Sequence, residues 1–150
     1  MSHSYSSSLF HCVFSTKERR QIIRQELQQA LWPYIGGIAR QNKLKALAVG
    51  GVTDHLHILL SLPSSMDIAT AMQRIKGASS KWIHDTFPEY QHFSWQEGYG
   101  AFSVGVSQVE ATVAYIHSQA EHHRTKTFQE EFLAILQRHG IEYDERYVWG

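Results

Sequence analysis

The stretch Asp54-His55-Leu56-His57-Ile58-Leu59-Leu60-Ser61-Leu62 sets two imidazoles, one residue apart, at the head of an apolar run. Side chains of a strand alternate between faces, so His55 and His57 project from one face while Leu56, Ile58 and Leu60 project from the other. With 10 histidines in the chain, roughly two thirds of one such triplet is expected by chance, so the triplet alone says little. Its setting says more. Two imidazoles on one face of a hydrophobic strand need a shared partner: a metal ion, a carboxylate or a wet sheet surface.

Working outward, Ala46 to Val52 is a second apolar β-type run, separated from the first by Thr53-Asp54. The two runs predict an antiparallel hairpin, with Gly50 and Gly51 marking a bend or bulge. Leu9 to Ser15 reads as a buried strand, Phe10, Cys12 and Phe14 facing one way and Leu9, His11 and Val13 the other; Met1 to Ser8 before it is expected to fray. Helical spacing of Leu27, Leu31, Tyr34, Ile35 and Ile38 predicts a helix over Arg24 to Lys43, kinked at Pro33. A second helix is predicted over Asp67 to Phe87, with Ile68, Met72, Ile75, Ser79, Trp82 and Ile83 inward, ended by Pro88. Phe93 to Val106 reads as a last strand with its approach loop, and Phe128 to Arg138 as a final helix followed by Gly140. The order β, α, β, β, α, β predicts an α+β domain of the ferredoxin-like, split βαβ plan. Its antiparallel sheet carries helices on one face, leaving the other for work.

The 150 residues, 43% apolar, fit one domain spanning residues 1–150. Fourteen basic and 14 acidic side chains balance, so the composition does not advertise a strongly basic nucleic-acid binder. Local patches remain: Lys17, Arg19 and Arg20 near the start, and Arg74, Lys76 and Lys81 on the second helix, are candidates to line a phosphate track. No stretch reads as a secretory signal or a bilayer span, so no membrane association and a cytoplasmic location are expected. The single Cys12 has no partner for a disulfide and reads as a buried inert thiol.

Ser107 to His123 reads as one helix, opened by Ser107 and Glu110 at capping-box spacing, with Val109, Val113, Ile116 and Ala120 on its apolar stripe. Tyr115 and Gln119 stand four residues apart, a spacing that stacks both on one face, and that face lies off the apolar stripe. A nucleophile and a metal ligand are thereby offered together. His122 shares that face loosely, but a helix end that favours cations accounts for both His122 and His123. His11, His84, His92, His117 and His139 have no partner pattern and read as surface or boundary residues.

The line Asp54-His55-Leu56-His57, the stretch Trp95-Gln96-Glu97-Gly98-Tyr99-Gly100-Ala101-Phe102-Ser103, and Tyr115-Ile116-His117-Ser118-Gln119 followed by His122-His123 together resemble one family. It is that of the single-tyrosine HUH transposases of the smallest bacterial insertion sequences and the related REP-associated tyrosine transposases. The likeness covers nearly the whole chain, including Gly140-Ile141-Glu142-Tyr143-Asp144. It implies that His55 and His57 are metal ligands, Gln119 the third ligand and Tyr115 the nucleophile on single-stranded DNA. It also implies an Mg2+ or Mn2+ ion, a 5′-phosphotyrosine intermediate and DNA ends marked by hairpins. The protein would be a homodimer in which the tyrosine helix of one subunit serves the histidine pair of the other.

Two other readings account for the same residues. A zinc hydrolase would use His55 and His57 with a carboxylate such as Asp54 and an activated water, forming no covalent intermediate. A non-catalytic module binding single-stranded nucleic acid would stack bases on exposed aromatics such as Phe102.

Overall fold

The computed structural model describes residues 4–149. Strands β1 (Leu9–Ser15), β2 (Lys45–Gly51), β3 (His55–Ser61) and β4 (Gly100–Ser103) form one antiparallel sheet in the order β2-β3-β1-β4. Helices α1 (Gln25–Gln41) and α2 (Ile68–Thr86) follow β1 and β3. This is the split βαβ plan, and the hairpin of β2 and β3 is present. The expectation that Met1 to Ser8 is frayed falls partly outside the described residues.

The larger core lies between the sheet and α1 and α2. Cys12, Phe14, Leu56, Ile58 and Leu60 from the strands meet Leu27, Leu31, Ile35 and Ile38 of α1 and Met72, Ile75 and Ile83 of α2. The 3.6-residue period put these residues on one side, and removing them from water is the main force that holds the layers together. Burial pushes the Cys12 thiol up to about 12, which keeps it inert. Tyr34 departs from the expected stripe: it is half-exposed and stacks on Trp82, with ring centroids 4.1 Å apart. Helix α1 runs without interruption through Pro33. Helix α2 starts at Asp67, whose carboxylate accepts the Thr70 N–H at 2.7 Å.

The second face of the sheet is covered as well. Helix α3 (Val109–His117) packs Ile116 against Ala48 and Leu59, and helix α5 (Phe128–Arg138) packs Phe128, Phe132, Ile135 and Leu136 on Val13 and Phe102. This is why every residue from His55 to Leu60 is buried: β3 is sandwiched on both faces. Helix α5 opens with a capping box between Thr127 and Glu130, and Gly140 follows it at φ 64°, the left-handed conformation glycine adopts without strain.

Two expectations about local geometry are corrected. The bulge in β2 lies between Ala46 and Ala48, not at the glycines. Gly50 and Gly51 are instead places of close approach: a Cβ on Gly50 would come within 2.4 Å of the Ile116 carbonyl oxygen, and one on Gly51 within 2.3 Å of the His55 carbonyl oxygen. The single helix over Ser107 to His123 is interrupted. A 3-10 turn over Val106–Gln108 replaces the Ser107 cap, and Ser118, at φ −105° and ψ 23°, separates α3 from the short α4 (Gln119–His122). The Ser118 N–H and hydroxyl both turn back to the Tyr115 carbonyl, at 3.2 and 3.1 Å, competing with the helical ladder. Ala120 is consequently exposed instead of continuing the stripe.

Gly50 therefore sets how closely α3 seats on the sheet. Gly50→Ala should lower unfolding stability by about 1–3 kcal/mol through forced displacement of α3. Gly77→Ala, where the new Cβ meets nothing within 4 Å inside α2, should raise it by roughly 0.5–1 kcal/mol. Urea denaturation of the two variants checks this; equal stability for Gly50→Ala and the unmodified chain would mean that α3 is not held by this contact.

Candidate metal and tyrosine site

His55 and His57 leave β3 on the face covered by α3 and α5 and are fully buried there. Each ring has its Nδ1 tied off. His55 Nδ1 bonds the Asp54 carboxylate at 2.7 Å, and His57 Nδ1 meets His11 Nε2 at 2.7 Å. A third ring, His123, bonds the Lys126 carbonyl through Nδ1 at 2.7 Å. The three Nε2 atoms then turn inward on one oxygen, Glu131 Oε1, at 3.3 Å from His55, 3.1 Å from His57 and 3.0 Å from His123. Gln119 Oε1 lies 3.0 Å from His55 Nε2. The other Glu131 oxygen accepts the hydroxyl of Tyr115.

Sequence spacing brought His55, His57, Gln119 and Tyr115 into view, and the structure brings all four together. It adds three residues. Glu131 escaped attention because a carboxylate is ordinarily a surface residue, yet it sits three residues after Phe128 and four before Ile135, on the apolar stripe of α5. A charge on a buried stripe was the available signal. His11 is a half-buried boundary residue but has a partner: its ring stacks on His57 with centroids 4.9 Å apart. Its position beside His57 follows from the pairing of β1 with β3, which spacing along the chain does not reveal. His123, not His122, reaches the centre. His122 is exposed and lies against the Tyr115 ring at 4.6 Å.

The electrostatics follow from burial and from these bonds. Burial would lower His55, but its hydrogen bonds to Asp54 and Glu131 outweigh that and raise it to about 9. His57 is lowered by burial, and His11 is lowered to about 3 by burial and by the neighbouring His57. Burial would raise the Glu131 carboxyl, but hydrogen bonds from His123, His55 and His57 hold it far below the usual carboxylate range. Burial and the bond to Glu131 raise the Tyr115 phenol well above its ordinary value.

The donor set suits a cation. His55 Nε2, His57 Nε2 and a Glu131 oxygen all lie within 4.8 Å of one another. With Nδ1 protonated toward Asp54, a neutral His55 would aim its Nε2 lone pair at two oxygens, Gln119 Oε1 and Glu131 Oε1. Such a cluster needs a proton or a metal ion between its donors, and nitrogen and oxygen ligands accept Mg2+, Mn2+ or Zn2+. Asp54 is a backing carboxylate to His55 and not part of the inward set, where the carboxylate is Glu131.

The six basic residues expected along a phosphate track fall into two groups. Lys17, Arg19 and Arg20 follow β1 at the end of the sheet that carries His55, and Arg19 lines a cleft of about 590 Å3 with Asp54, His123, Arg124 and Lys126. Arg74, Lys76 and Lys81 ride on α2, which packs on the opposite face of the sheet. Lys76 donates to the carbonyls of Gln96, Glu97 and Gly98, Arg74 to Asn42, and Lys81 pairs with Asp85 at 2.6 Å. Phe102 is 3% exposed, so it offers no open face for stacking, contrary to the expectation for a binding module. No helix among the described residues is long and apolar enough to cross a membrane.

In sequence and fold the chain is similar to known transposases. Residues 4–119 match the family model described as "Transposase IS200 like". The transposase for insertion sequence element IS200 of Salmonella typhimurium LT2 is 27% identical over 126 residues, covering 81% of this chain and 82% of that protein. The ISDra2 transposase TnpA of Deinococcus radiodurans is 28% identical over 86 residues, 57% of this chain and 61% of that one. Among solved structures, a candidate transposase from Deinococcus radiodurans R1 superposes with a TM-score of 0.64 at 25% identity, covering 78% of this chain and 97% of that one. The REP-associated tyrosine transposase bound to a REP hairpin shares the fold, with a TM-score of 0.60 at 17% identity over 82% of this chain and 73% of that one. The matched segment holds both histidines of β3, Tyr115 and Gln119, and the chain belongs to the IS200-like transposase family.

Proposed function

We propose that the protein is a single-tyrosine transposase that cuts and rejoins single-stranded DNA at hairpin-marked ends, with Tyr115 as nucleophile. The observation that carries this reading is that the Tyr115 hydroxyl and the inward nitrogens of His55 and His57 meet on one carboxylate, Glu131. His55, His57 and Glu131 would hold an Mg2+ or Mn2+ ion, with Gln119 beside them. Bound there, the ion would polarise the scissile phosphate and stabilise the charge that develops on it.

The chain's own groups do the rest. The Tyr115 oxygen attacks phosphorus, the bond from phosphorus to the 3′ oxygen breaks, and the departing oxygen takes a proton to become a free 3′-hydroxyl. The tyrosine is left as a 5′-phosphotyrosine, which keeps the phosphodiester energy for rejoining, so no nucleotide cofactor is needed. A phenol is a weak nucleophile until it loses its proton. Glu131, held ionised by three imidazoles, accepts the Tyr115 hydroxyl's hydrogen bond and orients it, and a cation bound beside it would ease loss of the proton. Asp54 and His11 orient the two rings from behind. Arg19, with Lys17 and Arg20 close by, would guide the phosphate chain toward the His123 side.

The family resemblance brings a homodimer with it. Tyr115 lies beside the histidines of its own chain, its ring centroid 5.6 Å from that of His57, which favours a tyrosine that acts in cis. The break at Ser118 would be the hinge if the helix were exchanged between subunits. Within one chain Tyr115, His55, His57 and Gln119 already converge on one centre. Mixing Tyr115→Phe with His57→Ala subunits is therefore expected not to restore cleavage, and recovered cleavage in the mixed dimer would establish exchange.

Incubated with Mn2+ and labelled single-stranded DNA from the flanks of its gene, the unmodified protein should form a covalent protein–DNA adduct. Tyr115→Phe should form none, at a stability cost of roughly 1–2 kcal/mol from the lost hydrogen bond to a charged partner. An adduct in that variant would remove Tyr115 from the role. His55→Ala and His57→Ala should also abolish the adduct, while Gln119→Ala reduces it less. His11→Ala should weaken Mn2+ binding by about 10–100-fold while preserving the fold.

The raised pKa of His55 gives a pH signature. The proton on His55 is held below about 9, and metal must displace it. Mn2+ binding by the whole protein should therefore strengthen as pH rises from 6.5 toward about 9 and release a proton. Calorimetry in buffers of different ionisation enthalpy measures the release; affinity that falls over this window would contradict it.

A further inference from the structure

A cleft of about 520 Å3 opens beside Tyr115, between α3, α5 and the edge strand β4. It carries no acidic side chain, although acidic and basic residues balance over the whole chain. Its one charged side chain is Arg138, and two imidazoles, His11 and His139, line it as well. An aromatic column runs along its wall from the metal-binding histidines to the surface. His57 stacks on His11 at 4.9 Å, His11 meets Phe102 edge-on at 6.4 Å, and Phe102 stacks under His139 at 4.8 Å and 28°. Phe102 is buried, whereas His139 is exposed, so the column ends in a ring with one face open.

The geometry points to this cleft as the seat of the nucleotide joined to Tyr115, the first one 3′ to the cut, its base stacked on the open face of His139 and its next phosphate held by Arg138. The inference rests on the phosphotyrosine chemistry proposed above and specifies where the linked strand leaves. Three observations favour a nucleotide. Tyr115 lines the cleft, so a strand attached to its hydroxyl, which rests on Glu131, lies within about one nucleotide of it. Its size lies in the range of small-ligand pockets. A stacking platform next to a guanidinium and free of carboxylates is the combination that holds single-stranded nucleic acid. Gln108 and Thr112, on the α3 side, supply amide and hydroxyl groups to the edge of a base and so give the cleft a means of preferring one base. The more polar cleft holding Arg19, Arg124 and Lys126 is left for the strand that departs with the 3′-hydroxyl.

The test uses the full chain carrying Tyr115→Phe, so that DNA binds without reacting, and single-stranded oligonucleotides from the gene's flanks with 5-iodouracil placed at one position at a time. After irradiation, crosslinked peptides are identified by mass spectrometry. At one position the crosslink is expected on His139 or Tyr143-side peptides of the α5 end, and in the unmodified protein that position should be the first nucleotide 3′ to the mapped cut. Crosslinks confined to α2, the 94–99 loop or the Arg124–Lys126 cleft would overturn the assignment. As a second variant, the exposed His139→Ala should weaken binding of the intact oligonucleotide about tenfold, as expected for loss of one stacked base. It should not weaken binding of an oligonucleotide that is abasic at that position; equal losses for both would also overturn it. Adduct formation by the unmodified protein without a crosslink in the cleft sinks this inference alone, whereas absence of any adduct sinks the cleavage reading beneath it.

Discussion

One carboxylate holds the functional half of the molecule together. Glu131 is 5% exposed and accepts from three imidazoles and a phenol, which come from β3, from α3 and from the segment after α4. A lone buried carboxylate would be expensive, and so would three buried imidazoles without partners. Brought together they satisfy one another, and none of the buried side-chain nitrogen or oxygen atoms among the described residues lacks a partner. The cluster also ties α5 to the sheet at the position where its apolar stripe lands on Phe102 and Val13. Packing and polar chemistry thus position the same helix.

The sheet makes that cluster possible. β3 lies inside the sheet, between β1 and β2, so its backbone is paired on both edges and its two faces serve different layers. Leu56, Ile58 and Leu60 belong to the core under α1 and α2, while His55 and His57 belong to the layer under α3 and α5. The rigidity of a doubly paired strand suits a site whose rings must be held within a narrow geometry. Close approach at Gly50 lets α3 come down far enough for Tyr115 to reach the histidines.

The interruption at Ser118 has a comparable effect. A continuous helix would carry Tyr115 and Gln119 on one face, aimed at one point. The break lets the Tyr115 hydroxyl meet Glu131 while Gln119, 1% exposed, turns to His55. Phenol and amide thus approach the same centre from different directions, leaving space beside Tyr115 for the cleft bounded by β4 and α5.

Much of this was legible along the chain. The period-2 run from Asp54 to Leu62, the 3.6-period stripes of α1, α2 and α5, and the order of elements led to the ferredoxin-like plan, because alternation and helical spacing are local consequences of backbone geometry. His55, His57, Tyr115 and Gln119 stood out for the same reason: each pair lies within one element. What spacing could not supply were the partners that meet only when elements pack. His11 reaches His57 through a strand pairing 46 residues apart, and Glu131 reaches His57 across 74. The cover over the second face and the break at Ser118 depend likewise on contacts between segments that are distant along the chain. Local periodicity determined which residues share a face, and only the tertiary structure decided which faces meet, because burial and hydrogen-bond satisfaction are properties of the packed layers and not of any one segment.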